Sequence, residues 1–368
     1  MRRWRLPGFD AGGGSDAPVL STKELRARLD AVPRLPLAEL PSPLEPLPRL
    51  SARLGRPIYL KRDDALGPAL GGNKTRKLEY LLADAKARGA RKVVTFGGLQ
   101  SNHARLTAAA ALGVGLEPHL FYFERRPRLL EGNLLLGALL GARLHFVPFG
   151  GGGDGGMTIE RASRLVHLVA WLRLGPHYFI PVGGHNVLGA LGYVRAALEL
   201  HEQAKALGLG RARVVVASGT GGTLAGLWAG LSLLDSPLEV LGLDIGKLWR
   251  AFPRSVAHLA EGLCARLGVH RPFAARDAPL LEREFVGPGY ARLHAPALTA
   301  MAELLRTEGV VLDPVYTGKA FAGLLALLAS GRLGGEEPVI FVHTGGLPAL
   351  YALSGSELPA GWGGSCES

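Results

Sequence analysis

The sequence predicts an α/β protein built on parallel sheet, and three features predict it. Short apolar runs alternate with longer amphipathic stretches along most of the chain, the pattern of strand and helix units around a parallel sheet. Glycine clusters stand repeatedly just behind the apolar runs, where a chain must turn between a strand end and the next helix. The length of 368 residues is enough for roughly two such domains.

Taken in order, residues 1–30 are assigned to a tail, loose over about its first 20 residues. A Pro-rich lead-in, "PRLPLAELPSPLEPLPRL", carries the chain to a first strand over Ile58 to Lys61. Two glycines and an asparagine then open a helix over Lys74 to Arg88. The run Lys92 to Phe96 reads as a strand and Ser101 to Leu112 as a helix. Strands over His119 to Phe123 and Arg143 to Val147 enclose a helix over Gly132 to Leu140. Thr158 to Leu172 is a helix before the strand Tyr178 to Pro181, and Ala190 to Leu207 is a helix before Arg213 to Ala217. Gly222 to Leu233 is helical, Val240 to Leu243 extended, Pro296 to Glu308 and Gly318 to Leu328 helical, and Val339 to His343 the last strand. The glycine clusters at 71–72, 97–98, 183–184, 218–223 and 344–346 follow or face strand ends. In open parallel sheets ligands bind beyond the strand C-termini, so these clusters are expected to converge on one pocket. The run "FGGGGDGGM", 149–157, is expected to be a flexible surface loop.

Composition excludes several classes. With 48% apolar and 20% charged residues the chain reads as an ordinary globular protein. The net charge of +11 comes mostly from arginines scattered through every segment, so a mild attraction for small anions is expected and no nucleic-acid partner. Cys264 and Cys366 form neither a disulfide framework nor a CxxC metal or redox site, which fits a reducing, cytoplasmic setting with no metal. No stretch approaches the ~18 uncharged apolar residues of a membrane span, and the N-terminus lacks the apolar region of an export signal.

Two stretches carry chemistry. "VVVASGTGGTLAGL" is a buried strand, a small-residue turn and a helix start, which would present unpaired amides and the positive helix end to a phosphate. It is not a dinucleotide fingerprint, because the third glycine position holds Leu224. "GPALGGNKT" is not a Walker A loop, because Asn73 separates Gly72 from Lys74. Lys74 itself follows "GGN" at a helix start, where the positive end of the dipole disfavours an ammonium. That conflict hints at a functional amine, either a phosphate clamp or one that loses its proton and forms a Schiff base with a carbonyl.

Five motifs, "YLKRDD...GGNKTRKLEYLLADA", "GGLQSNHARLTAAAA", "VASGTGGTLAG", "LDPVYTGKA" and "VHTGGLPAL", run in order over residues 30–355. Together they resemble the D-cysteine desulfhydrase and 1-aminocyclopropane-1-carboxylate (ACC) deaminase family of fold-type II pyridoxal-phosphate enzymes. The resemblance implies two domains, each an open, mostly parallel sheet flanked by helices: a large one from 31–76 and 186–368, and a small one, 77–185, inserted in it. It assigns pyridoxal 5'-phosphate to Lys74, its phosphate to Gly219, Thr220, Gly221, Gly222 and Thr223, and its ring hydroxyl to Asn102. Ser101, Asn102 and His103 would line the side of the substrate carboxylate. Tyr290 and Tyr316 match two active-site tyrosines, with Ser101 and Lys74 completing the catalytic set. A homodimer acting on a small amino acid is expected.

Within that family, ACC deaminases carry Glu at the position of Thr317 and Leu at that of Thr344. A carboxylate there would keep the pyridine nitrogen protonated, whereas a threonine can only hydrogen-bond to it. The weaker electron sink suffices when a good leaving group sits on Cβ, so D-cysteine desulfhydration is expected, with ACC deamination or elimination from another β-substituted amino acid such as L-cysteate as alternatives. His185 stands where the family usually has a small residue and is expected on the solvent side, with reshaping of the pocket for another substrate as the alternative. Ala291 in "GPGYA" replaces a more common glycine, and segment 243–256 matches no motif.

Overall fold

In the computed structural model, residues 18–147, 159–248 and 251–353 are described. Among the described residues ten strands form two sheets. The larger has the order β1 (Leu44–Pro46), β2 (Ile58–Lys61), β10 (Val339–Val342), β7 (Ala212–Ser218), β8 (Leu238–Asp244), β9 (Leu280–Leu281), with only β1 antiparallel. The smaller is wholly parallel: β5 (Arg143–Phe146), β4 (Glu117–Tyr122), β3 (Lys92–Gly97), β6 (Tyr178–Phe179). The eight expected strands are all present. β1 and β9, of three and two residues, fall below any periodicity signal.

Strand β7 shows why its sequence is a continuous apolar run. Val214 and Val216 pack with helices α7 (Val187–Ala206) and α8 (Gly222–Leu233), while Val215 packs with α11 (Thr317–Ala329) on the other face. A parallel strand covered on both faces has no solvent side to alternate toward. In the smaller sheet α3 (Lys74–Ala87) and α4 (Asn102–Gly113) cover one face, and α6 (Ile159–Leu174) the other.

Three expectations change. The tail does not extend to residue 30: Ser21 and Glu24 form a capping box opening α1 (Thr22–Asp30), whose Leu25 and Leu29 are fully buried against the large-sheet helices. A domain boundary between residues 76 and 77 would cut α3, which runs unbroken from Lys74. Segment 243–256 contains the start of a long amphipathic helix, α9 (Phe252–Arg266), whose Phe252, Val256 and Leu259 join the core beside α8. The glycine run 149–157 lies outside the described residues. Among the described residues no helix is long and apolar enough to cross a membrane.

Beneath α3 lies a buried charge cluster. Arg76 bridges Asp63 Oδ1 at 2.8 Å and Glu199 Oε2 at 2.9 Å, Lys61 pairs with Glu199, and Tyr193 donates to Asp63 at 2.5 Å. Two cations and two carboxylates balance, and each is hydrogen-bonded, which is the condition under which buried charge is tolerated. The cluster ties α3, and hence Lys74 two residues before Arg76, to β2 and α7.

Candidate active site

Lys74 is the first residue of α3, with Asn73 in the cap position. The turn before it is built from glycines. Gly71 has φ +58°, and a Cβ there would lie 2.2 Å from the Asp64 carbonyl; Gly72 has φ +136° and packs on Gly345 of the facing "TGG" turn. The Asn73 amide N–H donates to the Thr344 carbonyl at 3.0 Å, so the two glycine clusters are joined. The Asn73 side chain takes no part in capping; its Nδ2 donates to Thr223 Oγ1 at 3.1 Å and its Oδ1 accepts from Lys74 Nζ at 2.9 Å. One asparagine thus connects the amine to the 219–223 loop. Burial pushes the Lys74 amine down to about 8; Asp313 opposes this and Arg105 adds to it.

The loop after β7 has the form of an anion cradle. Gly221 adopts φ +85° and α8 begins with no side-chain cap, leaving its first amides unfilled by the chain's own side chains. A Cβ on Gly222 would lie 2.9 Å from Lys77 Nζ and 3.5 Å from His185 Nδ1. Ser218 Oγ at the strand end is buried without a hydrogen-bond partner among the described residues. Lys77 is buried, donates to the Gly183 carbonyl at 3.0 Å, and is depressed well below the usual lysine range by burial and by Lys74. An orphaned hydroxyl, a glycine whose missing Cβ leaves the space open, and an ammonium facing that space are what a phosphate group fits.

The small sheet delivers the opposite wall. Ser101 caps α4, its Oγ accepting from Ala104 N at 3.2 Å. Asn102 and His103 open the same helix, and all three are buried. The Thr95 hydroxyl gives its proton to the Ile180 carbonyl, so His103 Nε2–H donates to Thr95 at 2.8 Å. Burial, with Lys74 and Lys77 adding and a hydrogen bond to the Pro181 backbone opposing, holds this imidazole well below its usual range. Gln100 is spent on structure, accepting from Asn133 N and donating to the Glu131 carbonyl. Arg105 is fully buried and ties α4 to the Lys74 turn through the Ala69 and Gly71 carbonyls.

Tyr290 and Tyr316 meet, hydroxyl to hydroxyl, at 2.5 Å. A Cβ on Gly98 of the small-sheet loop would lie 3.6 Å from the Tyr290 ring, and one on Gly219 would lie 3.9 Å from Tyr316, so the pair spans from one wall to the other. Burial raises both phenols and keeps them protonated. Thr317 is fully buried, and its hydroxyl donates to Asp313 Oδ1 at 2.7 Å while accepting from Asp313 N at 2.9 Å. A carboxylate therefore stands one hydrogen bond behind that threonine. Thr344 is buried in the turn that faces Gly72.

With the Lys74 turn, the loop after β7 and the start of α4 placed, comparison with known proteins decides the family. The profile of the pyridoxal-phosphate dependent enzymes matches residues 35–345. This chain belongs to that family. It is 40% identical over 334 residues to a D-cysteine desulfhydrase of Klebsiella pneumoniae, covering 88% of this chain and 97% of the relative, and 40% identical over 333 residues to one of Salmonella schwarzengrund, with the same coverage. Among solved structures, one described as an ACC deaminase homologue superposes with a TM-score of 0.78 at 36% identity, over 89% of this chain and 96% of that one. A tomato threonine deaminase, at 17% identity and TM-score 0.59 over 92% and 87%, shares the fold. Pyridoxal phosphate is the cofactor of this family member, and the chain has the fold-type II architecture.

Two signals were open to a sequence reader and missed. Lys77 stands three residues after Lys74, one helical turn on, where a second amine would face the same cleft. Asp313 stands four residues before Thr317, within reach of its backbone and hydroxyl. The expected solvent-side position of His185 is corrected: its ring borders the phosphate cradle, Nε2 pairs with Ser255 Oγ at 3.2 Å, and burial beside Lys77 pushes it down to about 3.

Proposed function

We propose that this protein cleaves D-cysteine by β-elimination, releasing pyruvate, ammonia and hydrogen sulfide. The observation that carries the reading is the Lys74 amine, brought down to about 8 by burial and linked through Asn73 to the 219–223 loop. The relatives described as D-cysteine desulfhydrases, matched over nearly their full length, support the substrate.

When bound, pyridoxal phosphate withdraws electrons from the substrate Cα. Gly219, Thr220, Gly221, Gly222 and Thr223, with Lys77, hold its phosphate; Asn102 faces the ring hydroxyl, and Thr317 and Thr344 face the ring nitrogen. Ser101 binds the substrate carboxylate, and the buried His103 lines the same side. Lys74 takes the Cα proton. The two tyrosine hydroxyls share one hydrogen bond, which leaves one O–H proton for the departing hydrosulfide as the C–S bond breaks and sulfur keeps the electron pair. That tyrosine is reprotonated from water. A homodimer in a cytoplasmic setting completes the proposal, the reducing setting being supported by Cys264, a buried free thiol.

The buried Asp313 carboxyl group stands behind Thr317, where an ACC deaminase carries Glu, and the ACC deaminase homologue at 36% identity keeps ACC deamination as a second reading, beside elimination from L-cysteate. Purified holoenzyme given D-cysteine, L-cysteine, L-cysteate and ACC in turn separates them. Sulfide and pyruvate from D-cysteine alone support the proposal; 2-oxobutanoate from ACC, or sulfite from cysteate, with D-cysteine inert, refutes it.

A further inference from the structure

The segment from Arg283 to His294 carries Tyr290 to the cleft without any helix or strand of its own. Its backbone is bent at four positive-φ positions, Arg283 (+64°), Gly287 (+64°), Gly289 (+141°) and Ala291 (+55°), two of them not glycine. Such a path persists only where its surroundings hold it.

The holding group is Lys319. Its side chain is fully buried, and Nζ donates to the Val286 carbonyl at 2.9 Å and to the Gly289 carbonyl at 2.6 Å, immediately before Tyr290. Lys319 lies three residues after Tyr316 on α11, so one helix turn carries both the hydroxyl that Tyr290 meets and the ammonium that grips the Tyr290 loop. A buried cation in the first turn of a helix opposes the dipole and loses hydration, both unfavourable. No carboxylate is paired with it in direct contact among the described residues. Asp313 and Asp244 act on it from a distance, and His294 of the same loop feels its charge.

We propose that Lys319 is a positioning residue for the reaction: by gripping the Val286 and Gly289 carbonyls it sets the Tyr290 hydroxyl on that of Tyr316 at the mouth of the active site. The role rests on the reading of this tyrosine pair as catalytic. Burial brings Lys319 down to about 8, against which Asp313 and Asp244 act; as pH rises through that value the two hydrogen bonds keep their N–H donors but lose the assistance of the charge.

The test compares wild-type, K319M and K319R holoenzymes by amide hydrogen exchange, cofactor absorbance and D-cysteine kinetics across pH. Methionine keeps the length and removes the donors. In K319M, exchange in peptides covering 283–294 accelerates, cofactor absorbance is unchanged, and kcat falls about 10- to 100-fold, as a misplacement of ~1 Å implies. Arginine stays charged, so K319R restores part of the rate and moves the alkaline limb of the kcat profile upward. Unchanged loop exchange in K319M, or a lost rate with the loop still protected, overturns the proposal. Should K319M not fold, K319Q decides: its shorter, uncharged side chain cannot reach both the Val286 and Gly289 carbonyls, so exchange over 283–294 must accelerate, and unchanged exchange overturns the proposal. A wild-type enzyme inert toward D-cysteine counts against the proposed substrate, whereas the exchange data judge Lys319 independently of it.

Discussion

Replacing Lys77 by methionine tests the phosphate cradle most searchingly. In the protein as described, its ammonium has the Gly183 carbonyl as acceptor at 3.0 Å, sits 5.9 Å from the Tyr193 ring centroid, and faces the space that a Cβ on Gly222 would enter. Its proton is held weakly because burial and the Lys74 charge both oppose it. A phosphate dianion reverses that balance, and a hydrogen bond to a charged group is worth about 1.5–3 kcal/mol net. At about 1.4 kcal/mol per tenfold, K77M should weaken pyridoxal phosphate binding roughly 10- to 150-fold. Methionine nearly conserves volume, so the fold should tolerate it. Apoenzyme is titrated with pyridoxal phosphate and, separately, with pyridoxal, following the bound chromophore. The phosphate-free aldehyde should bind both proteins alike, because Lys74 is intact. A dissociation constant for pyridoxal phosphate within about twofold of wild type, or equal losses for both aldehydes, would refute the role of Lys77.

Other substitutions and conditions follow from the same geometry. G222A places a methyl 2.9 Å from Lys77 Nζ and 3.5 Å from His185 Nδ1, and should lower cofactor affinity at least about tenfold in the same titration, with the secondary structure by circular dichroism unchanged. The attachment rate of pyridoxal phosphate to apoenzyme should rise with pH and level off above about 8, because Lys74 reacts as the free amine; a stopped-flow midpoint near the ordinary lysine value of 10.5 would contradict this. T317E sets a second carboxylate against Asp313 in a fully buried site and should destabilise the protein by about 3–5 kcal/mol, whereas T317E with D313N should recover most of it in thermal or urea unfolding.

Much of this architecture was legible because sequence pattern and physics coincide. The "RVVVA" run had to be a strand covered on both faces, and the glycine clusters had to mark turns at strand ends. Lys74 stood out as an amine set against a helix dipole. Legibility ended where the signal was short or lay in three dimensions. β1 and β9 have too few residues for a period to register. α1 was hidden because a mostly polar nine-residue helix looks like tail until Leu25 and Leu29 find the core. His103 was readable as a polar residue beside a substrate, but its tautomer depends on Thr95, whose proton is claimed by Ile180 on another strand connection. Thr317 was readable as a weak partner for the ring, yet the Asp313 carboxylate behind it appears only once the "DPVYT" turn closes on itself. Lys319 passed unnoticed because its two acceptors are carbonyls some 30 residues away.

The most direct test of the central claim is to reduce the holoenzyme with borohydride, digest it and locate the pyridoxyl group by mass spectrometry. A single modified site at Lys74 is expected, with K74A neither coloured nor labelled. A label on Lys77 or Lys319, or a chromophore that survives K74A, would contradict it.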